Sequence, residues 1–296
     1  MLRPLRSEFY RLRRRWMPWV LLAIIVVAAF AFYELIYFSI NTQLQMLRSG
    51  NLPPTVGGPE GARATIAEME STLQQVTPSH IPEFGIAIIA GIGAVILIVF
   101  AASHMGTDYG WGTLRTLLAS GESRTQFLVT KLGSTAIFAA IFTIAGVVAV
   151  IGASYLVSSQ AGFDTSGIDI GLIAVATLKT GYCFMPYLAL AALIALVSRS
   201  SGAGIAAGLV IYFAESIAMQ VLISFNKDYA TIANLGISRN TQSLSRLTVN
   251  VGGQGGTPQI PALPDQTQAA IVIAVWTALF IAIAFWRLRT RDVTLA

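Results

Sequence analysis

The sequence predicts an all-α integral membrane protein of six transmembrane helices with both termini in the cytoplasm. Three observations carry this. Only 11% of the 296 residues are charged while 55% are hydrophobic, with mean hydropathy +0.68; a soluble domain carries about 25% charged residues. Six apolar runs are each long enough to cross a hydrocarbon core of about 30 Å at about 1.5 Å per residue. The 19 Lys and Arg gather beside alternate ends of those runs. The net charge of +5 therefore belongs to juxtamembrane clusters facing anionic lipid headgroups, not to a nucleic-acid surface. A single cysteine, Cys183, excludes an internal disulfide and any cysteine-built metal site. The chain reads as one transmembrane domain over residues 1–296.

Residues 1–16 place Leu2, Leu5, Phe9, Leu12 and Trp16 at spacings of three and four, with arginines between them. This pattern predicts an amphipathic elbow helix lying in the membrane interface. The first span covers about 17–40. Its basic start and the Ala29-Phe30-Ala31 triplet imitate a secretory signal, but the apolar run continues through Phe38, so we read a retained helix. A polar external loop, 41–83, follows. Within it Ala62, Ile66, Met69, Leu73 and Val76 keep helical spacing after Pro59, which predicts a small amphipathic helix.

The second span covers about 84–104, the third 127–155 and the fourth 170–197. A tight turn at Ser198–Gly202 leads to the fifth, 203–225. A second long external loop, 226–267, ends in Gly and Pro, and Asp265 or Thr267 caps the sixth span, 268–286. Small residues recur at Gly91-x-Gly93 and Gly202-x-Gly204-x-x-x-Gly208, where helices can approach closely.

Orientation follows from charge. With both termini inside, the cytoplasm holds six arginines of the amino-terminal arm, Arg115, Arg124, Lys131, Arg199 and the three arginines of the tail. Outside lie Arg48, Arg63, Lys227, Arg239 and Arg246, and Lys179 falls in a span. The positive-inside rule selects this topology.

The polar stretch from His104 to Leu132 interrupts two apolar runs on the inner side. Asp108 or Thr107 can cap a helix on which Trp111, Leu114, Leu117 and Leu118 share one face. Ser120-Gly121 stops it, and Ser123 with Gln126 forms a capping box that opens the third span. The order of Asp108, Gly112-Thr113-Leu114-Arg115, Leu117-Leu118, Gly121, Arg124 and Lys131 resembles the ABC type-2 transporter permeases, the BcrB/NosY-like exporter subunits; the family more often has Glu at the Asp108 position. The resemblance implies that this segment is a coupling helix docking on a separate ATPase subunit, which would bind the ATP and Mg; no cofactor is expected in this chain. It also implies a permease working with a second membrane subunit, either an identical copy in a homodimer or a relative, in a bacterial or archaeal plasma (inner) membrane. The resemblance does not name the substrate; an apolar pathway with few charges fits lipids, amphipathic peptides or hydrophobic drugs better than sugars or ions. A different class of function is a membrane anchor or scaffold whose external loops bind a partner.

An enzymatic reading has little to stand on. There is no G-x-x-x-x-G-K-[ST] phosphate loop, no H-E-x-x-H and no G-x-S-x-G elbow, and His80 and His104 lie at opposite ends of one span. Three ionisable residues fall within spans as pathway candidates: Glu34, Lys179 and Glu215. Glu34 and Lys179 sit at equal depth, either as partners or each reaching the headgroups alone. Glu215 lies near mid-span, either facing a cavity or bonded neutral to a neighbouring helix.

Overall fold

The computed structural model describes residues 2–49, 58–110, 123–245 and 263–290. All regular structure among them is helical. Helix α1 (Leu2–Arg14) is followed after one residue by α2 (Trp16–Arg48). Helix α3 (Gly58–Gln74) precedes a tight turn at Pro78–His80, a wide π-type turn at Ile81–Gly85 and α4 (Ile86–Gly110). Then come α5 (Arg124–Ala161), α6 (Ile170–Ser198) and α7 (Ser201–Phe225). The short α8 (Ala230–Ala233) and α9 (Ile237–Ser245) lead to α10 (Gln266–Thr290). Among the described residues six helices (α2, α4, α5, α6, α7 and α10) are long and apolar enough to cross a membrane.

Local chemistry sets where these helices start and stop. The Ser123 hydroxyl accepts the Gln126 amide at 3.1 Å, Asp169 accepts that of Leu172 at 2.9 Å, and Ser200 that of Ala203 at 3.3 Å. Between the two cap candidates for the sixth span, the carboxylate of Asp265 takes the role, accepting Thr267 N–H at 3.0 Å. That bond also holds the Asp265 carboxyl below its ordinary pKa. Helix α5 ends at Gly162 with φ +71°, a left-handed C-terminal position that glycine adopts without steric cost.

Helices α4 and α6 form the enclosed centre: α4 packs against α6 and α7, α6 against α10, and α2 against α5. The predicted small-residue contacts are where α7 meets this centre. A Cβ on Gly204 would lie 2.7 Å from the Ala195 methyl, and one on Gly208 would lie 2.8 Å from Ile98. Helix α2, at 33 residues, is about 50 Å long and overshoots the hydrocarbon core. Its C-terminal end carries α3 through an Arg48–Glu70 ion pair at 2.7 Å. Leu73 and Val76 are buried, and Ser154 on α5 donates to the Val76 carbonyl at 2.6 Å.

The sequence did not predict two features. Helix α1 turns Glu8 inward together with Leu12, while Phe9 on α1 and Trp16 at the start of α2 are exposed. And the stretch read as a plain polar loop after α7 carries a docked helix. Helix α9 packs against α6, α7 and α10, tied down by Trp276 Nε1 donating to the Leu235 carbonyl (2.9 Å) and Ser243 donating to the Pro264 carbonyl (2.5 Å).

Candidate functional site

A compact group of charges sits where α1, α4 and α5 meet. Lys131 is 1% exposed, Glu8 2% and Asp108 0%. The Lys131 ammonium lies 2.5 Å from Glu8 Oε1, makes an ion pair with Asp108 Oδ2, and donates to the His104 carbonyl at 3.3 Å. Arg11 pairs with Glu8 at 2.5 Å. Arg15 reaches Asp108 at 3.6 Å and donates to the Thr107 hydroxyl at 3.1 Å. A lone buried charge would be prohibitively costly, so each member here is held in by opposite charges on another helix.

The sequence explains how such residues reach one point. Glu8 lies one turn before Leu12 on the same helical face, so the face that seats Leu12 against the bundle also carries the acid inward. His104 and Asp108 are four apart and point the same way from α4. Beside them, the His104 ring stacks on Phe100, and its Nε2 lies 2.9 Å from Ser134 Oγ. That hydroxyl donates to the Lys131 carbonyl at 2.9 Å and so accepts from the imidazole N–H. This leaves His104 Nδ1 as the acceptor nitrogen, without a hydrogen bond among the described residues.

Asp108 therefore does not begin a new helix. Neither does Thr107: α4 runs through both to Gly110, because the buried pair with Lys131 and the Arg15 contacts keep this turn folded against α5 and α1. Arg124 opens α5 and donates to the Leu288 carbonyl near the end of α10 at 3.3 Å, a favourable place for a cation. Gly112, Thr113, Leu114, Arg115, Leu117, Leu118 and Gly121 lie outside the described residues. The helices on either side of that segment are thus joined through Asp108 and Lys131. Sequence reasoning singled out these two but missed Glu8, His104 and Arg15 as their partners. The available signal was one acid on the apolar face of an arm otherwise charged only by arginines.

The in-span candidates go elsewhere. Glu34 accepts from the Gln160 amide at 3.1 Å, and Lys179 donates to Gln266 at 2.9 Å, so the two do not pair with each other. Glu215 on α7 meets the start of α9: its Oε1 accepts the Ser238 N–H at 2.9 Å, and Oε2 accepts from the Tyr187 hydroxyl at 3.4 Å. A carboxylate there satisfies helix N–H groups that otherwise lack partners. Gly236 makes room for it, since a Cβ would fall 2.8 Å from Oε1. Adjacent to this contact, α4, α6, α7 and α9 line an open-sided cavity of about 410 Å³, with Tyr187, Tyr212, Ser216 and Ser238 among its walls and Gly91 and Phe213 exposed at its open side.

This geometry sets an expectation for Glu215. Glu215→Gln keeps an oxygen for Ser238 and should unfold within a degree or two of the parent in a thermal melt. Glu215→Leu strands the α9 amide and should cost about 1–2 kcal/mol, as loss of a helix cap does. Equal melting temperatures for the two variants would show that the carboxyl does not hold α9.

No group of three or more His, Cys, Asp or Glu with metal-holding geometry occurs among the described residues. In comparison with known proteins, a family model described as "ABC-2 family transporter protein" matches residues 5–293. No curated protein matches the chain.

Proposed function

Because this chain belongs to the ABC-2 transporter family, as a membrane-spanning subunit of an ABC transporter, we propose that it is the permease of an exporter driven by a separate ATPase chain. The observation that carries this is the buried Glu8–Lys131–Asp108 group. It fastens the interfacial helix and both helices flanking residues 111–122 into one unit, as a part that receives force from the cytosol requires. Two copies of the chain would form the pathway, with termini in the cytosol of a bacterial or archaeal inner membrane. ATP and Mg would be bound by the ATPase pair.

The geometry supports a route for the motion. A push on residues 111–122 would move α4 and α5 together, because Asp108 and Lys131 clamp them. Asp108 and Ala94 lie on the same helix, 14 residues or about 21 Å apart, and Ala94 lines the cavity. Displacement at the inner end would thus be delivered to the cavity wall with little loss, since a packed helix is stiff along its axis. Glu215 would stay at the border of that pathway, through its hold on α9. Lipids, amphipathic peptides and hydrophobic drugs are the substrates the apolar walls favour.

The test is a double substitution, Leu117→Asp with Leu118→Asp. The variant should insert and purify normally, yet its co-purification with a P-loop ATPase should fall by about tenfold or more, about 1.4 kcal/mol per tenfold, and export should fall with it. Undiminished ATPase capture together with normal export would remove the coupling role and leave an anchor or scaffold as the better description.

A further inference from the structure

We propose that the cavity between α4, α6, α7 and α9 binds a cationic amphiphile, a molecule with one positive head group and a single hydrocarbon tail. The proposal rests on the permease reading and names the substrate class for that pathway. Its walls are of two kinds. Helix α4 presents Ala87, Ala90, Gly91 and Ala94, which fall on one helical face and carry nothing larger than a methyl. Helix α9 presents Ser238, Thr241, Gln242 and Ser245 at the same spacing, each bearing a hydroxyl or an amide. A wholly polar or wholly apolar ligand would leave one of these faces unmatched; an amphiphile satisfies both.

Charge selects the head group. Among the described residues, Glu83 is the one carboxylate in the wall, no lysine or arginine lines it, and Glu83, itself exposed, has no hydrogen bond or ion pair. It stands at the outer entrance, 11 residues or about 16 Å along the helix from Ala94. The rings of Tyr212 and Phe213, also in the wall, offer faces that attract a cation. The volume, about 410 Å³, is at the small end of ligand sites and fits one chain rather than a two-chain lipid.

The experiment uses the full-length chain in phosphatidylcholine nanodiscs, with neither ATP nor ATPase present, and radiolabelled dodecyltrimethylammonium as probe. Saturable binding above that of empty discs is expected, displaced by unlabelled probe and far less by dodecyl sulfate. Gly91→Leu should weaken binding by about tenfold or more without harming the fold, because a Cβ at Gly91 has no atom within 4 Å and the larger side chain grows into the cavity. Glu83→Gln should weaken it by about tenfold and abolish the preference over dodecyl sulfate. Uptake equal to empty discs, or Gly91→Leu binding as tightly as the parent, would overturn the site. Equal displacement by dodecyl sulfate in the parent would overturn the charge assignment. Since no ATPase enters this assay, a negative result here is distinguishable from a failure of the coupling role, and the converse holds too.

Discussion

Lys131→Met is expected to be the most damaging single substitution in this chain. It removes the cation held between Glu8 and Asp108 and leaves two carboxylates 2% and 0% exposed against each other. Breaking a buried pair by deleting one partner costs about 3–5 kcal/mol, far more than the pair's net worth, because the remaining charge has neither water nor counterion. The melting temperature of the purified protein should fall by about 10 °C for a chain of this size, and detachment of α1 should show as early proteolysis at its arginines. Arg11 and Arg15 soften the loss without replacing Lys131, since each reaches only one of the two acids. Adding Glu8→Gln and Asp108→Asn to the Met variant should restore most of the lost stability, because no fully buried charge is left and the Arg11 and Arg15 side chains, 36% and 25% exposed, keep access to water. A Met variant that melts like the parent would mean that the cluster is hydrated and mechanically idle.

Gly106→Ala should come next in severity. A Cβ at this position would sit 2.5 Å from both the amide nitrogen and the Cα of Ser201, so the obstacle is backbone rather than a movable side chain. Ser201 cannot retreat easily: it follows Arg199, at φ +54°, and Ser200, which caps α7. The methyl must therefore wedge α4 away from the start of α7, at a cost of about 1–3 kcal/mol, and Gly106→Leu should fail to yield monodisperse protein. Gly91→Ala on the same helix is the control. Nothing lies within 4 Å of its Cβ, and it should be neutral or slightly stabilising by helix propensity. Equal melts for the two alanine variants would show that α4 and α7 do not touch as described.

The membrane helices and the Ser123 cap were legible in the sequence because each is settled within a few residues. A run of apolar side chains must be helical in lipid wherever it lies, as no water satisfies its backbone. A Ser or Asp ahead of such a run caps it by reaching an amide three residues on, as Ser123, Asp169 and Ser200 do. The family was legible too, from the spacing of glycines, leucines and arginines between the second and third spans, and the match over residues 5–293 agrees.

What only the tertiary structure decided is which polar groups meet. Hydropathy treats Glu8 as one acid in a basic arm, yet packing of Leu12 carries it inward to Lys131, 123 positions away. It treats Asp108 as the start of a polar loop, yet the same lysine keeps it folded inside α4. Residues 237–245 look like any hydrophilic loop, and become a docked helix only because Glu215, Asn234 and Pro264 offer partners to Ser238, Arg239 and Ser243. The reason is one of range. The preference of a segment for helix or lipid is a property of its own side chains, whereas a buried charge or hydroxyl is tolerated only through partners on other helices, and their approach is fixed by how the whole bundle packs.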